Sequence, residues 1–520
     1  MRITTKVIQN NTLSNINSNK VLQDKLSNQM STQKKINRPS DDPVVAIRAL
    51  RLRTNVSQVT QYYEKNVPDA KSWMQITEDA LTSVSEVLTD MIVQCQKGSS
   101  EKLTSSDRQT ILDDITALKD EVYATGNADY AGRCVFTGYR TDTTLKCTKA
   151  ETKKYSITEQ LENNSVDSIK YIDSAGISNI SDVNFNTAPS SNIQEAAVKE
   201  YDVHRIKLAY NRLDDETDTI APTIKSVDGT VDVTATIVSE NDIPSPYIAI
   251  TEAANADSCF LIKETGELLL GDNLYTKIMD LKDDVLTTGQ NEGEIRITYE
   301  RSDWLKDELR PEHYFACTDK SDADSANWIV YNPAYLTDVT REKQSIEYDV
   351  GLNQSIKVNT TADEVFTHAI GRDVDDLIAA MREEASMEEK LTQLKGLAEQ
   401  YASDPVNSAT LKNQVEAAEK ALTYIREKRE NLFEKSITKM QGHLDNVNYA
   451  TTGCGTRQKK LELIENRLMS QKTSFETLQS DNENIDLTDV AIQLSGAELT
   501  YNAALMATSK ILQTTLVSYL

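Results

Sequence analysis

Gln29 to Leu50 reads QMSTQKKINRPSDDPVVAIRAL, and its internal punctuation predicts a helix, a loop and a new helix. Pro39 interrupts the first helix because its ring removes a backbone donor and crowds the preceding turn. Ser40, Asp41 and Asp42 then offer short side-chain oxygens to the free amides of a helix start. Pro43 suits the first helical position, where no backbone N–H is needed, and an apolar run follows from Val44.

Upstream of this corner, Val7, Leu13, Ile16, Leu22, Leu26 and Met30 recur among Asn, Ser and Gln residues. The far end of the chain mirrors them. Leu487, Val490, Leu494, Ala497, Tyr501, Ala504, Thr508 and Ile511 follow alternating steps of three and four, and Ala491, Leu505, Leu512 and Leu516 widen that face. Such a helix is amphipathic but marginal by itself in water, so both ends are expected to need a partner. We expect these stripes to stay uncovered in a single copy and to form a polymerisation face. Protease should then remove about 1–40 and 485–520 first. Charge supports pairing of the two ends. Residues 1–66 hold eleven Lys and Arg against four acids, whereas 471–520 hold two bases against six acids.

Helical periodicity continues inward from both ends. Ile76, Ala80, Val84, Val87 and Met91 follow Trp73, and a capping box at Ser106 to Gln109 is expected to open the next helix, carrying Ile111, Ile115, Leu118 and Val122. Gly126 should close it as a left-handed cap. Toward the other end, Leu411, Val415, Ala418, Leu422, Ile425 and Leu432 mark one stripe. Phe433, Ile437, Met440, Leu444 and Val447 continue it on a shifted face. Leu461, Ile464, Leu468, Gln471, Phe475 and Leu478 form a coiled-coil-like seam in a further helix.

Between 139 and 360 the pattern changes to β-branched and aromatic runs separated by Gly, Asn, Asp and Ser. Strands are predicted at Thr230–Val238, Glu294–Glu300 and Trp328–Tyr331. A hairpin is predicted from Ser345–Val350 and Ser355–Asn359, and a short helix near Ile193–Tyr201. The fold class expected is mainly α: a long antiparallel helical bundle or coiled coil built from both termini, with a β-rich inserted domain. The expected division is 1–38 as the N-terminal polymerisation helix and 39–138 as the N-terminal bundle half ending in a hairpin. The outer insert follows at 139–360, then the C-terminal bundle half at 361–485 and the C-terminal polymerisation helix at 486–520.

With 520 residues, 39% hydrophobic and 26% charged, the chain can bury a core without metal or disulfide. Only 17 Gly and 10 Pro suit long helices. A net charge of −25 argues against nucleic-acid binding, which depends on basic surface. No apolar run approaches the ~20 residues that cross a bilayer, and residues 1–25 lack the apolar core of a secretory signal. The six cysteines (Cys95, Cys134, Cys147, Cys259, Cys317 and Cys454) have no metal-ligand spacing, and any disulfide connectivity is left open. Four scattered histidines and the absence of phosphate-loop or hydrolase motifs point to no enzyme and no cofactor. Asp322 and Asp324 faintly suggest a calcium loop, but Asn327 and Pro333 stand where Gly and Glu are needed.

At PSDDP, Pro39 to Pro43, the sequence resembles the flagellin and hook-associated family, in which this form of the loop is that of junction members. Asn127, Tyr130, Gly132, Arg133, Phe136 and Gly138 are similar to that family's passage into a β-hairpin, although Cys134 departs from the pattern. Gly455 and Arg457 resemble its GxR turn, and 487–520 its C-terminal helix. The resemblance covers 1–138 and 361–520. It implies a non-enzymatic building block joining hook to filament in the bacterial flagellum, exported through the flagellar type III apparatus without a cleavable signal and located outside the cell. It implies assembly with copies of itself in a ring, with a hook-side junction protein and with flagellin, and an export chaperone on the C-terminal helix. Filament flagellin is the near alternative and an unrelated coiled-coil adhesin or scaffold the distant one.

Overall fold

The structure, a computed structural model, describes residues 5–100, 103–174, 176–177, 197–214, 222–227, 229–281, 294–336, 344–404 and 407–517. It is mainly α with a β-rich middle, as the hydrophobic periods indicate. Helices α1 (Thr5–Thr32), α2 (Pro43–Gln61), α3 (Val67–Gly98) and α4 (Ser105–Thr125) come first. Strands β1 (Asp129–Tyr130), β2 (Arg133–Cys134), β3 (Glu151–Glu162), β4 (Val166–Asp173), β5 (Lys199–Lys207) and β6 (Thr223–Ser226) follow. Then come β7 (Asp232–Thr234), β8 (Thr236–Val238), β9 (Cys259–Ile262), β10 (Glu267–Leu270) and helix α5 (Asp272–Met279). Strands β11 (Glu294–Trp304), β12 (Ala316–Asp319), β13 (Ile329–Tyr331), β14 (Glu347–Gly351) and β15 (Gln354–Lys357) precede α6 (His368–Gln400), α7 (Asn407–Glu483) and α8 (Leu487–Val517). Among the described residues no helix is long and apolar enough to cross a membrane.

Two compact units divide the chain. One comprises Met1–Lys71, Tyr348–Ile356 and Lys459–Leu520, the other Ser72–Glu347 and Lys357–Gln458. Most of the β-rich stretch thus groups with helical residues, and this division runs differently from the five segments expected from sequence.

In the first unit α1 lies antiparallel to α8, and α2 lies along the last turns of α7. Lys71–Glu465 at 3.2 Å and Lys472–Glu64 at 2.5 Å mark that antiparallel register. A π-helical turn, Tyr62–Asn66, follows α2 directly, and Asn66 Nδ2 donates to the Asp349 carbonyl at 2.7 Å.

The second unit has a helical part and two sheets. On α3 the buried face runs through Trp73, Thr77, Leu81, Val84, Leu88, Met91 and Cys95, a little rotated from the stripe expected, since Ile76 and Val87 are only half-buried. The capping box of α4 is Thr104 with Asp107, two residues earlier than Ser106 to Gln109: Asp107 N donates to Thr104 Oγ1 at 3.2 Å and Thr104 N returns to Asp107 Oδ2 at 3.1 Å. Gly126 caps the helix in a right-handed conformation (φ −62°), not a left-handed one. Its glycine has a packing cause instead, because a Cβ there would lie 2.5 Å from the Leu145 side chain. Helix α7 is continuous over 77 residues, so the turn expected at Gly455 and Arg457 does not exist. Arg457 instead donates to the Asn359 carbonyl (2.8 Å) and Thr360 Oγ1 (3.0 Å).

The sheets have the orders β13-β12-β3-β11-β6-β7 and β4-β5-β10-β9-β8. Their shared core holds Tyr155, Ile157, Ile224, Ile295, Ile297 and Tyr299 from the first and Ile206, Leu261, Leu268 and Leu270 from the second. The segment expected as one strand, Thr230–Val238, splits at Ala235, with β7 in one sheet and β8 in the other. The short helix expected near Ile193–Tyr201 is replaced over its last residues by β5, and its start lies outside the described residues. The hairpins β1–β2 and β14–β15 form as expected.

Candidate assembly interface

The corner read from PSDDP is held by its two aspartates facing opposite ways. Asp42 caps α2, its Oδ1 accepting from Val44 N (3.0 Å) and Val45 N (3.1 Å), with Pro43 as the first helical residue. Asp41 Oδ2 looks back along the loop and accepts from Arg38 N (2.9 Å) and Asn37 N (3.1 Å). Those amides hold the Asp41 carboxyl below its ordinary value, the Arg38 amide most strongly. Pro39, Ser40, Asp41 and Pro43 are exposed and Asp42 is half-buried.

A second corner faces this loop's start. Helix α1 ends at Gln33 with φ +58°, and α7 breaks at Asn484 before Asp486 caps α8 through Thr488 N at 2.8 Å. The two breaks are stitched by main-chain bonds: Lys35 N donates to the Glu483 carbonyl (2.8 Å) and Ile485 N to the Gln33 carbonyl (3.2 Å). Side chains add to the stitch. Lys34 Nζ reaches Asn484 Oδ1 (2.7 Å), Lys35 Nζ the Asp481 carbonyl (2.6 Å), and Arg53 grips buried Glu483 at two points. Helix ends leave donors and acceptors unpaired, so two ends that break side by side can satisfy one another.

From this corner α1 and α8 run together. Leu26, Val490 and Ala497 are buried between them, with Ile485 and Leu494 packed alongside. Tyr501, Ala504 and Thr508 continue the covered side half-buried. The seven seam positions with described side chains therefore divide into six that face α1 and Leu487, which is 45% exposed; the side chain of Ile511 lies outside the described residues. On α1 the covered line is Thr12, Ile16, Asn19, Gln23 and Leu26. Leu13 and Leu22, expected on the uncovered polymerisation face, are exposed, whereas Ile16 and Leu26, expected there too, are covered. The expectation of an uncovered seam is thus corrected: one chain closes most of it, because α1 and α8 pair along Leu26, Val490 and Ala497 and bury those side chains within a single copy.

What remains open is the outer surface of the pair. On α8, Ile492 (66% exposed), Leu499 (73%) and Met506 (70%) stand seven residues apart, on one line down the helix. On α1, Val7, Leu13, Val21 and Leu22 are likewise exposed. Sequence reasoning missed Gln33, Arg53, Glu483 and Asn484. Only the opposite charge of the two ends pointed toward them.

A helical start with a proline-aspartate corner, paired with a distant C-terminal helix, defines a class, and residues 3–141 match the bacterial flagellin N-terminal helical region. Over residues 3–141 the chain is similar to that region. More particularly, the chain is similar to flagellar hook-associated protein 3 of Salmonella typhimurium, with 29% identity over 143 residues that cover 27% of this chain and 45% of that protein. It is also similar to flagellin of Bacillus subtilis, with 31% identity over 149 residues, 28% of this chain and 48% of that one. These alignments span about half the length of the curated relatives. A solved structure of a flagellar hook-associated protein from Vibrio parahaemolyticus aligns with 85% of this chain and 100% of its own, at 14% identity and a TM-score of 0.35.

Proposed function

We propose that this chain is a structural junction protein of the bacterial flagellum that links hook to filament and assembles through its terminal helices. The observation that carries this reading is the stitched α1–α8 pair, whose outer line of Ile492, Leu499 and Met506 is apolar and open to neighbours. Exposed aliphatic side chains in a row lose water only against another surface, and each buried leucine-sized group contributes ~1.5–3 kcal/mol. The similarity to hook-associated protein 3 supports the same reading. Its partners are then copies of itself in a ring, a hook-side junction protein and flagellin, with an export chaperone on the C-terminal helix. No catalytic step, nucleic-acid contact or membrane insertion is assigned to it.

Similarity to flagellin favours a second reading, a filament subunit. Purified chain should not grow into long fibres if the junction reading holds; extended filaments of this chain alone would establish the second. Cells lacking the protein should show hooks without filaments and flagellin in the medium by electron microscopy and immunoblotting. An Ile492→Glu, Leu499→Glu variant should fold with unchanged helicity and fail to restore filaments. Restoration by that variant would remove the outer line from the account.

A further inference from the structure

In the second unit the six-stranded sheet ends in two edges that no described strand covers, β13 on one side and β7 on the other. Each of its strand pairings, β13–β12, β12–β3, β3–β11, β11–β6 and β6–β7, is antiparallel. Direction therefore alternates across an even number of strands, and β13 and β7 run oppositely. A strand at an edge leaves a row of backbone N–H and C=O groups without a ladder partner.

Such edges are commonly blunted by Lys, Pro or a bulge. The outer strand β4 of the other sheet follows that rule, with exposed Lys170 paired to Glu200 at 3.2 Å. β13 has no guard of this kind. It reads Ile329-Val330-Tyr331, and Ile329 (53% exposed) and Val330 (58%) stand open, with Trp328 (40%) just before them. Register assigns them to opposite faces. Ile329 lies in the row of Asp319 and Tyr155, toward the core, and Val330 in the outer row of Thr318 and Ser156. Successive side chains of a strand alternate, so a partner packed on one face would cover one of them and leave the other wet. A strand laid alongside β13 covers both.

β7 has the matching features. Val233 continues the core-side row of Ile297 and Ile224, while Asp232 and Thr234 are exposed on the outer face. We propose that β13 of one copy pairs with β7 of the next, so that the sheet continues from copy to copy with Val233 beside Ile329 and Asp232 beside Val330. Side-by-side copies that keep the same face outward bring these oppositely directed edges together as an antiparallel ladder, apolar row to apolar row. Joining unlike edges is a head-to-tail contact that can close a ring, whereas pairing β13 with a second β13 stops at two copies. The inference rests on the junction reading, in which copies stand in a ring.

The test uses cells lacking the protein and supplied with the full chain carrying Asp232→Cys and Val330→Cys. Both side chains are exposed, so the variant should be incorporated at the parent's level. Isolated hook and filament structures are oxidised, denatured with a thiol-blocking reagent and run on a gel without reductant. Residues directly opposite in an antiparallel ladder lie ~4.5–5.5 Å apart, within disulfide reach. The six native cysteines are buried, so the parent chain should stay a monomer. The double variant should give a ladder of dimers and higher multimers, at least tenfold above either single variant. Equal dimer from Val330→Cys alone would mean that like edges pair, and a double variant that stays monomeric would mean that these edges do not meet; either result overturns the inference and leaves the junction reading standing. Parent chain absent from the isolated structures on an immunoblot would overturn the junction reading, and the inference with it.

Discussion

Arg53 and Glu483, 430 positions apart, form a two-point ion pair, with Nε to Oε1 at 2.6 Å and Nη2 to Oε2 at 2.7 Å. Glu483 is buried at the end of α7, while the Arg53 side chain is 58% exposed. The guanidinium holds the Glu483 carboxyl below its ordinary value of 4.5. A depressed folded-state value means that the stabilisation is present above that ordinary value and is lost as pH falls through the lower one. Glu483→Gln should therefore cost about 1–2 kcal/mol at pH 7, discounted for the open side of Arg53. Denaturant unfolding of variant and parent should converge as pH falls well below that ordinary value. A difference that persisted in acid would assign the effect to packing, not charge.

Gln33 occupies left-handed backbone space at φ +58°, where a Cβ is strained and glycine is not. Gln33→Gly should stabilise the chain by about 0.5–1 kcal/mol after the added freedom of the unfolded state is counted. Gln33→Ala, which keeps the Cβ, should gain nothing. Equal midpoints for the Gly and Ala variants in chemical denaturation would show that the corner carries no such strain.

Glu384, 1% exposed, is ion-paired with three arginines. Arg108 Nη1 and Arg426 Nε approach its Oε1 at 3.1 Å each, and Arg429 Nε lies 2.8 Å from Oε2. Arg429 meanwhile holds the last carbonyls after α3, those of Gly98 (2.7 Å) and Ser100 (3.1 Å). Glu384→Gln should leave uncompensated buried positive charge and cost about 3–5 kcal/mol. The loss should register as a fall in urea midpoint with an unchanged slope.

Glu159 is buried between the sheets, and its Oε1 accepts both the Tyr299 hydroxyl (2.5 Å) and the Ala209 amide (2.7 Å). Burial pushes its carboxyl up, partly opposed by Arg372. A raised folded-state value contributes stability at low pH that is lost as pH rises through it. Glu159→Gln keeps an acceptor at the Oε1 position and removes the buried charge. Its advantage over the parent should grow as pH rises from 4 to 8. Melting temperatures across that range supply the check; an advantage that shrank with pH would reverse the sign.

Legibility differed from element to element for physical reasons. The start of α2 was readable because a cap oxygen and a proline act within three residues, as Asp42 and Pro43 do. The middle was readable only in part: the twelve-residue β3 carries Glu159 in the buried row of Tyr155 and Ile157, and a polar residue buried by its partners breaks the alternation that marks a strand. Gly455 misled because glycine within a long, well-packed helix costs only ~1 kcal/mol, which Cys454, Leu461 and their neighbours offset by burial.

By itself the amino-acid order determined the local pieces: the corner at Pro39 to Pro43, amphipathic helices at both ends, helical flanks and a β-rich middle. Only the tertiary structure decided which side of each end helix is covered. Periodicity defines a stripe but not its partner, and the covering line on α1 uses Asn19 and Gln23, which carry no hydrophobic signal. The grip of Arg53 on Glu483 and the paired breaks at Gln33 and Asn484 likewise depend on groups brought together across most of the chain, where short-range propensity has no reach.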